Sequence, residues 1–145
     1  MSLYDVFFDL TRIEITLWDQ LDRALQEECD IPLGSYEAVM VLHRLGPCRV
    51  QDVSRELSVT VGGTSKLIDR IEALGYCERR PNPNDRRSSL ITLTASAETL
   101  MEQAEAVINR ILEPLFSGSL STVEFQLLRE MLGKLRGGVS SGQVG

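Results

Sequence analysis

The sequence has few of the residues and patterns that mark enzymes, secreted proteins and membrane proteins. Among its 145 residues are three cysteines, Cys29, Cys48 and Cys77, whose odd number and scattered positions give neither a disulfide framework nor metal-site spacing. One histidine and no nucleophile–base arrangement argue against catalysis. No apolar run approaches the roughly 20 residues that span a bilayer, and the N-terminus lacks the basic region of a signal peptide. We expect a cytoplasmic protein that is not an enzyme, holds no metal or other cofactor and has no membrane partner.

Acidic and basic residues are distributed unevenly along the chain. The net charge is −6, and residues 1–43 hold nine acidic but only two basic side chains. Residues 44–93 hold nine basic and six acidic side chains, whereas residues 94–145 hold four basic and six acidic ones. A basic segment within an acidic protein suits specific binding of a polyanion, because the acidic remainder weakens non-specific binding. The middle third is therefore the predicted site of function.

The N-terminal segment is predicted to be one long helix. From Leu3 to about Glu28 it contains no glycine or proline, and apolar residues recur at helical spacing. A second apolar row, Phe8, Ile15 and Trp18, makes the apolar stripe wider than one small core needs. We therefore expect this helix to pack against a second copy of the chain in a two-fold homodimer.

The C-terminal third is predicted to form two further dimerisation helices. Thr94 is the expected N-cap of a helix that runs to about Phe116, and Pro114 in its last turn should bend or end it. The last helix begins at a capping box, Ser121–Glu124. Residues 138–145 are rich in glycine and serine and are predicted to be a disordered tail.

The middle segment has the spacing of a helix-turn-helix. Ser35 is the predicted N-cap of a helix that ends at Leu45 before a Gly-Pro pair. A short helix at 50–57 is followed by a brief turn and by a helix that Thr60 caps and that runs to about Leu74. Two helices joined by such a turn are typical of DNA-binding proteins, in which the second helix enters the major groove.

A β-hairpin is predicted directly after the second of these helices. Gly75 should end the helix in a left-handed conformation. Short strands are predicted at 77–80 and 89–93, and the polar loop PNPNDRR between them should project instead of forming a tight turn. A hairpin with arginines at its tip, beside a recognition helix, is typical of a winged helix whose wing reaches the minor groove or the DNA backbone.

The predicted fold class is therefore mainly α with a small β-hairpin, a winged helix-turn-helix flanked by N- and C-terminal dimerisation helices. No internal repeat is visible. The predicted parts are an N-terminal dimerisation helix at 1–34, the DNA-binding domain at 35–94, C-terminal dimerisation helices at 95–137 and the tail at 138–145.

The segment LIDRIEALGYCERRPNPNDRRSSLITLT, residues 67–94, resembles the signature of the MarR family of bacterial transcription regulators. In that signature a helix and Leu-Gly lead into a strand, an Asp-x-Arg wing and Leu-Thr. The order of elements resembles that family over about residues 3–136. The resemblance implies a homodimer in which each subunit presents a winged helix to half of a pseudo-palindrome in double-stranded DNA. It also implies repression that a small molecule or an oxidant relieves.

Two groups of residues are predicted to contact the DNA. At the wing, Arg87 should enter the minor groove and Arg86 should meet a phosphate. Asp85, which phosphate would repel, should orient Arg87 or cap the loop. The second group lies in the first turns of the recognition helix, where base edges and phosphates are reached, and consists of Thr60, Gly62, Thr64, Ser65, Lys66 and Arg70.

A ligand pocket is expected between the dimerisation helices and the winged domain. Its candidate lining residues are Arg12, Trp18, Tyr36 and His43, and the resemblance implies an aromatic or phenolic anion as the effector. One alternative is a repressor that senses oxidants through a thiol, with Cys29 near a helix end as the candidate. The other is a winged helix that binds protein and not DNA, against which the clustered arginines argue.

Overall fold

The structure is a computed structural model that describes residues 1–142. Its elements, in chain order, are α1 (Leu3–Cys29), α2 (Leu33–Leu45), α3 (Val50–Leu57), α4 (Val61–Ala73), β1 (Cys77–Asn82), β2 (Asp85–Leu93), α5 (Ala95–Ser119) and α6 (Thr122–Gly142). The chain divides into two compact units, Met1–Ile108 and a second that begins at Asn109. The predicted fold class, mainly α with a small β-hairpin, is confirmed.

The core of the first unit is built from α2, α3, α4 and β2, together with the end of α1 and the first half of α5. Val53 of α3, Ile68 and Ile71 of α4, and Ile91 of β2 are all fully buried. Ile68 and Ile71 lie three residues apart, so both point from the same face of α4. Cys48 joins the hairpin to this core, because its backbone N–H donates to the carbonyl of Ile91 at 3.3 Å and its carbonyl accepts the N–H of Ile91 at 2.7 Å. Burial of each aliphatic side chain contributes about 1.5–3 kcal/mol to stability.

Local signals set both ends of α4 as predicted. The hydroxyl of Thr60 accepts the backbone N–H of Gly63 at 3.1 Å, so Thr60 is the N-cap. After the helix, Gly75 has φ of 85°, a conformation that a residue with a side chain adopts only at a cost. The hydroxyl of Thr94, the residue before α5, donates to the carbonyl of Gly75 at 2.6 Å and ties the end of the hairpin to the end of α4.

The predicted start of α2 is wrong. The helix begins at Leu33, with Pro32 at the N-cap position, and Ser35 lies inside it with 2% of its surface exposed. A carboxylate oxygen of Asp22, on α1, accepts the backbone N–H of Leu33 at 2.9 Å. Because this residue from another helix satisfies an amide of the first turn, no serine cap is needed.

Helix α5 passes through its proline. It runs from Ala95 to Ser119 with Pro114 inside it, whereas the prediction was a bend or an end near Phe116. Proline removes one backbone donor and disturbs one turn. Hydrogen bonding has resumed by the next turn, where the N–H of Leu120 donates to the carbonyl of Phe116 at 2.9 Å.

Helix α6 begins at the predicted capping box. The hydroxyl of Ser121 accepts the N–H of Glu124 at 3.3 Å, and the Glu124 carboxylate accepts the N–H of Ser121 at 2.8 Å. Hydrogen bonds from the backbone and the side chain of Ser121 lower the pKa of Glu124. The ring of Phe125 contacts that of Phe116 edge to face, with centroids 5.5 Å apart.

The predicted tail is helical as far as the structure describes it. Helix α6 continues to Gly142, so disorder from residue 138 is wrong for 138–142, and residues 143–145 lie outside the described residues. The hydroxyls of Ser140 and Ser141 donate to carbonyls one turn earlier, at 3.1 and 2.9 Å, as serines inside helices often do. Within residues 1–142, no helix is long and apolar enough to cross a membrane.

Candidate nucleic-acid interface

The recognition helix α4 has one buried face and one polar face. Ile68 and Ile71 pack into the core, whereas Lys66 and Arg70 are exposed and Ser65 is half-buried. Among the described residues, neither Lys66 nor Arg70 forms an ion pair. The outer face of α4 therefore offers two free cations one helical turn apart, beside a serine hydroxyl.

One predicted contact on this helix is wrong. Thr64 is fully buried, and its hydroxyl donates to the carbonyl of Thr60 at 2.9 Å. The reason is helical geometry, because residue 64 lies four positions before Ile68 and shares its inward face. Thr64 therefore belongs to the core and cannot reach a base edge.

The N-terminus of α4 presents bare backbone. Gly62 is exposed, and a Cβ atom added there would have no neighbour within 4 Å. At Gly63 a Cβ would lie 3.1 Å from a methyl group of Val59 and 3.2 Å from the hydroxyl of Thr60, so a side chain there would crowd the turn. The two glycines thus serve different purposes. Gly62 leaves the helix N-terminus open to an anion, whereas Gly63 allows close packing.

The regular ladder of the hairpin coincides with the two predicted strands, and the tip beyond it is irregular. Regular pairing runs from Cys77 opposite Leu93 to Pro81 opposite Ser89. The register then shifts to one further pair, Asn82 opposite Asp85, so residues 86–88 bulge out of β2 at the tip. The side-chain carbonyl of Asn82 accepts the N–H of Asn84 at 3.0 Å, and its side-chain amide donates to the hydroxyl of Ser88 at 3.0 Å. These side-chain hydrogen bonds tighten the turn, and the strands extend beyond the ranges predicted for them.

Arg79, the arginine at the base of the wing, forms ion pairs with other residues of the chain. The guanidinium of Arg79 lies 2.7 Å from the carboxylate of Asp69 and 2.9 Å from that of Glu72, both on α4. The backbone N–H of Arg79 also donates to the Glu72 carboxylate at 3.2 Å. Partial burial disfavours the charged form, but the hydrogen bonds and charges of the two carboxylates raise the pKa of Arg79 overall. Arg79 thus fastens β1 to the recognition helix.

The two arginine pairs of the hairpin differ in charge balance. Near the base, Arg80 forms an ion pair with Glu78, just as Arg79 is neutralised by α4. At the tip, Arg86 and Arg87 are exposed, and across residues 1–142 neither has an ion-pair partner. Asp85 accepts the backbone N–H of Arg87 at 2.9 Å and so shapes the turn without neutralising the guanidinium.

A groove of about 500 Å³ lies within the first unit. Helix α2 contributes two predicted pocket residues, Tyr36 and His43, together with Met40. The predicted Arg12 and Trp18 do not line it, because both belong to an exposed stretch of α1, where the guanidinium of Arg12 lies 5.1 Å from the centre of the Phe8 ring. Helix α5 supplies the residues that the sequence did not single out, namely Glu98, Met101, Glu102, Glu105 and Ile108.

All three cysteine thiols are buried. Burial raises the pKa of Cys29, and the charge of Glu28 raises it further. Burial is also the main cause that raises the pKa of both Cys48 and Cys77 to about 11. Because the thiolate is the reactive form, these surroundings oppose rapid oxidation. Among the described residues, no group of His, Cys, Asp or Glu side chains is placed to hold a metal ion.

The central segment of the chain matches a known protein family. The model of the MarR family matches residues 31–89, which cover α2, α3, α4, β1 and half of β2. The chain carries a MarR family domain. Its winged helix-turn-helix is thus similar to that of the MarR family transcriptional regulators.

The similarity extends beyond the MarR domain. The multiple antibiotic resistance protein MarR of Escherichia coli (strain K12) is 26% identical over 137 residues, which cover 92% of this chain and 95% of that protein. An uncharacterised HTH-type regulator of Bacillus subtilis (strain 168), YwhA, is 32% identical over 79 residues, or 52% of this chain and 57% of its own length.

Two solved structures of protein–DNA complexes have the same fold. A mutant MarR of E. coli complexed with operator DNA superimposes with a TM-score of 0.72 at 25% identity, covering 93% of this chain and 99% of that one. A MarR family regulator of Streptomyces coelicolor in complex with DNA reaches a TM-score of 0.80 at 20% identity, covering 95% of this chain and 89% of that one.

Proposed function

We propose that the protein is a homodimeric repressor that binds a pseudo-palindromic operator in double-stranded DNA in the cytoplasm. The observation that carries this proposal is the placement of unpaired cations. Lys66 and Arg70 on α4, and Arg86 and Arg87 at the wing tip, are exposed and lack ion-pair partners among residues 1–142, whereas Arg79 and Arg80 between them are neutralised. Phosphates and electronegative grooves are the partners that such cations match.

The recognition helix would lie in the major groove. Ser65, Lys66 and Arg70 occupy its outer face, and the open amides at Gly62 would approach a phosphate. Thr60 would act mainly as the helix cap, since its hydroxyl already accepts a hydrogen bond.

The wing would reach the neighbouring minor groove. Asp85 accepts the backbone N–H of Arg87 in the bulged tip of the hairpin, and a guanidinium is attracted by a narrow minor groove. Arg86 would contact a backbone phosphate. The ties from Arg79 to Asp69 and Glu72 would hold this wing at a defined position relative to α4.

Apolar side chains left in solvent support the homodimer. On α1, the exposed apolar residues include Leu3, Phe7, Phe8, Leu10, Ile13, Ile15 and Trp18. On α6, in the second unit, they include Val123, Leu127, Met131, Leu132 and Leu135. Apolar surface of this extent marks an interaction site. A second copy of the same chain would cover it with two-fold symmetry and would place two winged helices for two half-sites about 34 Å apart.

The signal that releases the repressor is proposed to be a small molecule bound in the groove between α2 and α5. The groove has a volume within the range of roughly 300–1,000 Å³ that small-molecule sites occupy. The three buried thiols favour this signal over oxidation of Cys29. A ligand that binds one spacing of the two winged helices better than the other would change the affinity for the operator.

The first experiment measures binding to a duplex that carries the intergenic DNA beside the protein's own gene. Fluorescence anisotropy across a salt series should show saturable, sequence-preferring binding that weakens steeply as salt rises. We expect Arg87→Ala to lose about 1–3 kcal/mol of binding free energy. The matched control is Arg80→Ala, which removes the same charge from a wing arginine that Glu78 already neutralises, and its loss should be much smaller.

Two results would contradict the proposal. Equal losses for Arg87→Ala and Arg80→Ala would remove the wing tip from the interface. If a selection from random-sequence duplexes also enriched no sequence, the alternative of a winged helix that binds protein would replace the repressor.

A further inference from the structure

The groove between α2 and α5 carries three carboxylates, and its one basic side chain is His43. Glu98, Glu102 and Glu105 of α5 line it, and within the described part of the chain none of the three forms an ion pair. The nearest arginine on α2, Arg44, lines a neighbouring groove, where Glu37 already faces it. The groove itself contains no lysine or arginine.

The phenol of Tyr36 borders the same groove. Tyr36 is 5% exposed, and within residues 1–142 its hydroxyl makes no hydrogen bond to another group. Burial raises the pKa of Tyr36, and the negative charge of Glu105 raises it further. The phenol therefore stays neutral, and its ring is the part of Tyr36 that a ligand in the groove would contact.

The remaining lining is apolar and adaptable. Met40 and Met101 face the groove from its two helices, and Ile108 lies at its end. Methionine side chains adjust to irregular ligands and contact aromatic rings favourably. An aromatic ring such as that of Tyr36 also attracts cations through its π face.

From these observations we propose that the groove binds an apolar organic cation, such as a quaternary ammonium, phosphonium or protonated amine that carries aromatic rings. The carboxylates of Glu98, Glu102 and Glu105 would attract the charge, while Met40, Met101 and the Tyr36 ring would contact the apolar part. A phenolic or carboxylic anion would instead meet three like charges. This inference rests on the proposed function, in that the cation would be the effector that releases the operator.

The test uses two probes of the same shape and opposite charge, tetraphenylphosphonium and tetraphenylborate. Isothermal titration calorimetry measures the affinity of each for the full chain, and anisotropy measures operator binding with and without each probe. We expect the phosphonium to bind at least about tenfold more tightly than the borate, because several like or opposite charges act together in one groove. It should also lower the affinity for the operator.

Variants locate the bound cation. Glu102→Gln and Glu105→Gln keep the size of the side chain and remove its charge, and each should weaken phosphonium binding about fivefold, the effect of one charge at about 4 Å in water. Glu113→Gln is the control, since it makes the same change on α5 outside this groove and should alter binding less than twofold by the same distance argument. Tyr36→Phe tests the ring without the hydroxyl and should retain cation binding.

The outcomes separate this inference from the proposed function. Absence of phosphonium binding, preference for the borate, or equal losses for Glu105→Gln and Glu113→Gln would each overturn the cation site, whether or not the protein binds DNA. Phosphonium binding that depends on Glu102 and Glu105 but leaves operator affinity unchanged would overturn the effector role. A cation site in a protein that binds no DNA would support the site and contradict only the repressor.

Discussion

The MarR domain and the N-terminal part of α1 differ in how far their apolar side chains are buried. In the central segment Ile68, Ile71 and Ile91 are fully buried by neighbouring elements of the same chain. On α1, by contrast, Leu3 is 90% and Phe7 62% exposed, although both belong to an equally regular amphipathic helix. The core therefore includes Leu25 at the end of α1 and Leu100 and Ala104 of α5, whereas the N-terminal part of α1 keeps an apolar face of the size that marks interaction sites.

The pairing of charged residues also distinguishes the central segment. The central segment neutralises the arginine that positions its wing and leaves those of the wing tip free. Exposed charges cost little in water, whereas exposed apolar surface favours association. The central segment is therefore suited to a polyanion, and the terminal helices are suited to another apolar surface.

The largest expected effect is the loss of stability when a fully buried residue of the central core is truncated. Ile68→Ala should lower the free energy of unfolding by about 2–5 kcal/mol, because it leaves a cavity in a fully buried site. The control is Val61→Ala on the same helix, where the side chain is 49% exposed and the loss should stay within about 0.5 kcal/mol. Urea denaturation at fixed protein concentration measures both, and equal losses would contradict the contrast between buried and exposed positions.

A somewhat smaller effect is expected where the terminal helices meet a partner. Phe7→Glu should weaken the dimer by about 3 kcal/mol, since it removes a large apolar side chain and introduces a charge that burial disfavours. Sedimentation equilibrium measures this dissociation constant. Thr16→Glu, on the opposite side of α1, should leave the dimer nearly unchanged. A wild-type protein that stays monomeric, or a dimer indifferent to Phe7→Glu, would refute a two-fold interface through α1.

The smallest effect concerns the tie between the wing and the recognition helix. Arg79→Met should weaken operator binding by about 1 kcal/mol without removing a DNA contact, because an ion pair with partly exposed partners contributes little. Arg79→Lys, which keeps the charge but loses the two-pronged geometry, should fall between this variant and the wild type. Anisotropy with the same duplex measures the series. An Arg79→Met variant as tight as the wild type would show that the wing needs no such tie.

Predictions from neighbouring residues were accurate where a few residues decide the structure. Thr60, Gly75 and the Ser121–Glu124 box mark helix ends as expected, since a cap or a left-handed residue acts within one turn. The wrong predictions share another cause. Asp22 caps α2 from a different helix and displaces Ser35 from that role.

Candidate site residues show the same limit. Lys66 and Thr64 are both polar residues at the start of α4, yet one is exposed and the other is buried because the two lie on different faces. Likewise Arg79 and Arg87 look equivalent in a basic segment, and only the fold brings Asp69 and Glu72 to the first of them.

The sequence by itself determined the order of elements, the winged helix-turn-helix and the surplus of apolar surface at both ends, because helical periodicity, caps and turns are local properties. Only the tertiary structure decided which cations remain unpaired, and which of the candidate pocket residues share a groove with three glutamates from α5. Those outcomes depend on side chains that are distant in sequence, and their positions become defined only when α2, α4, α5 and the hairpin pack together.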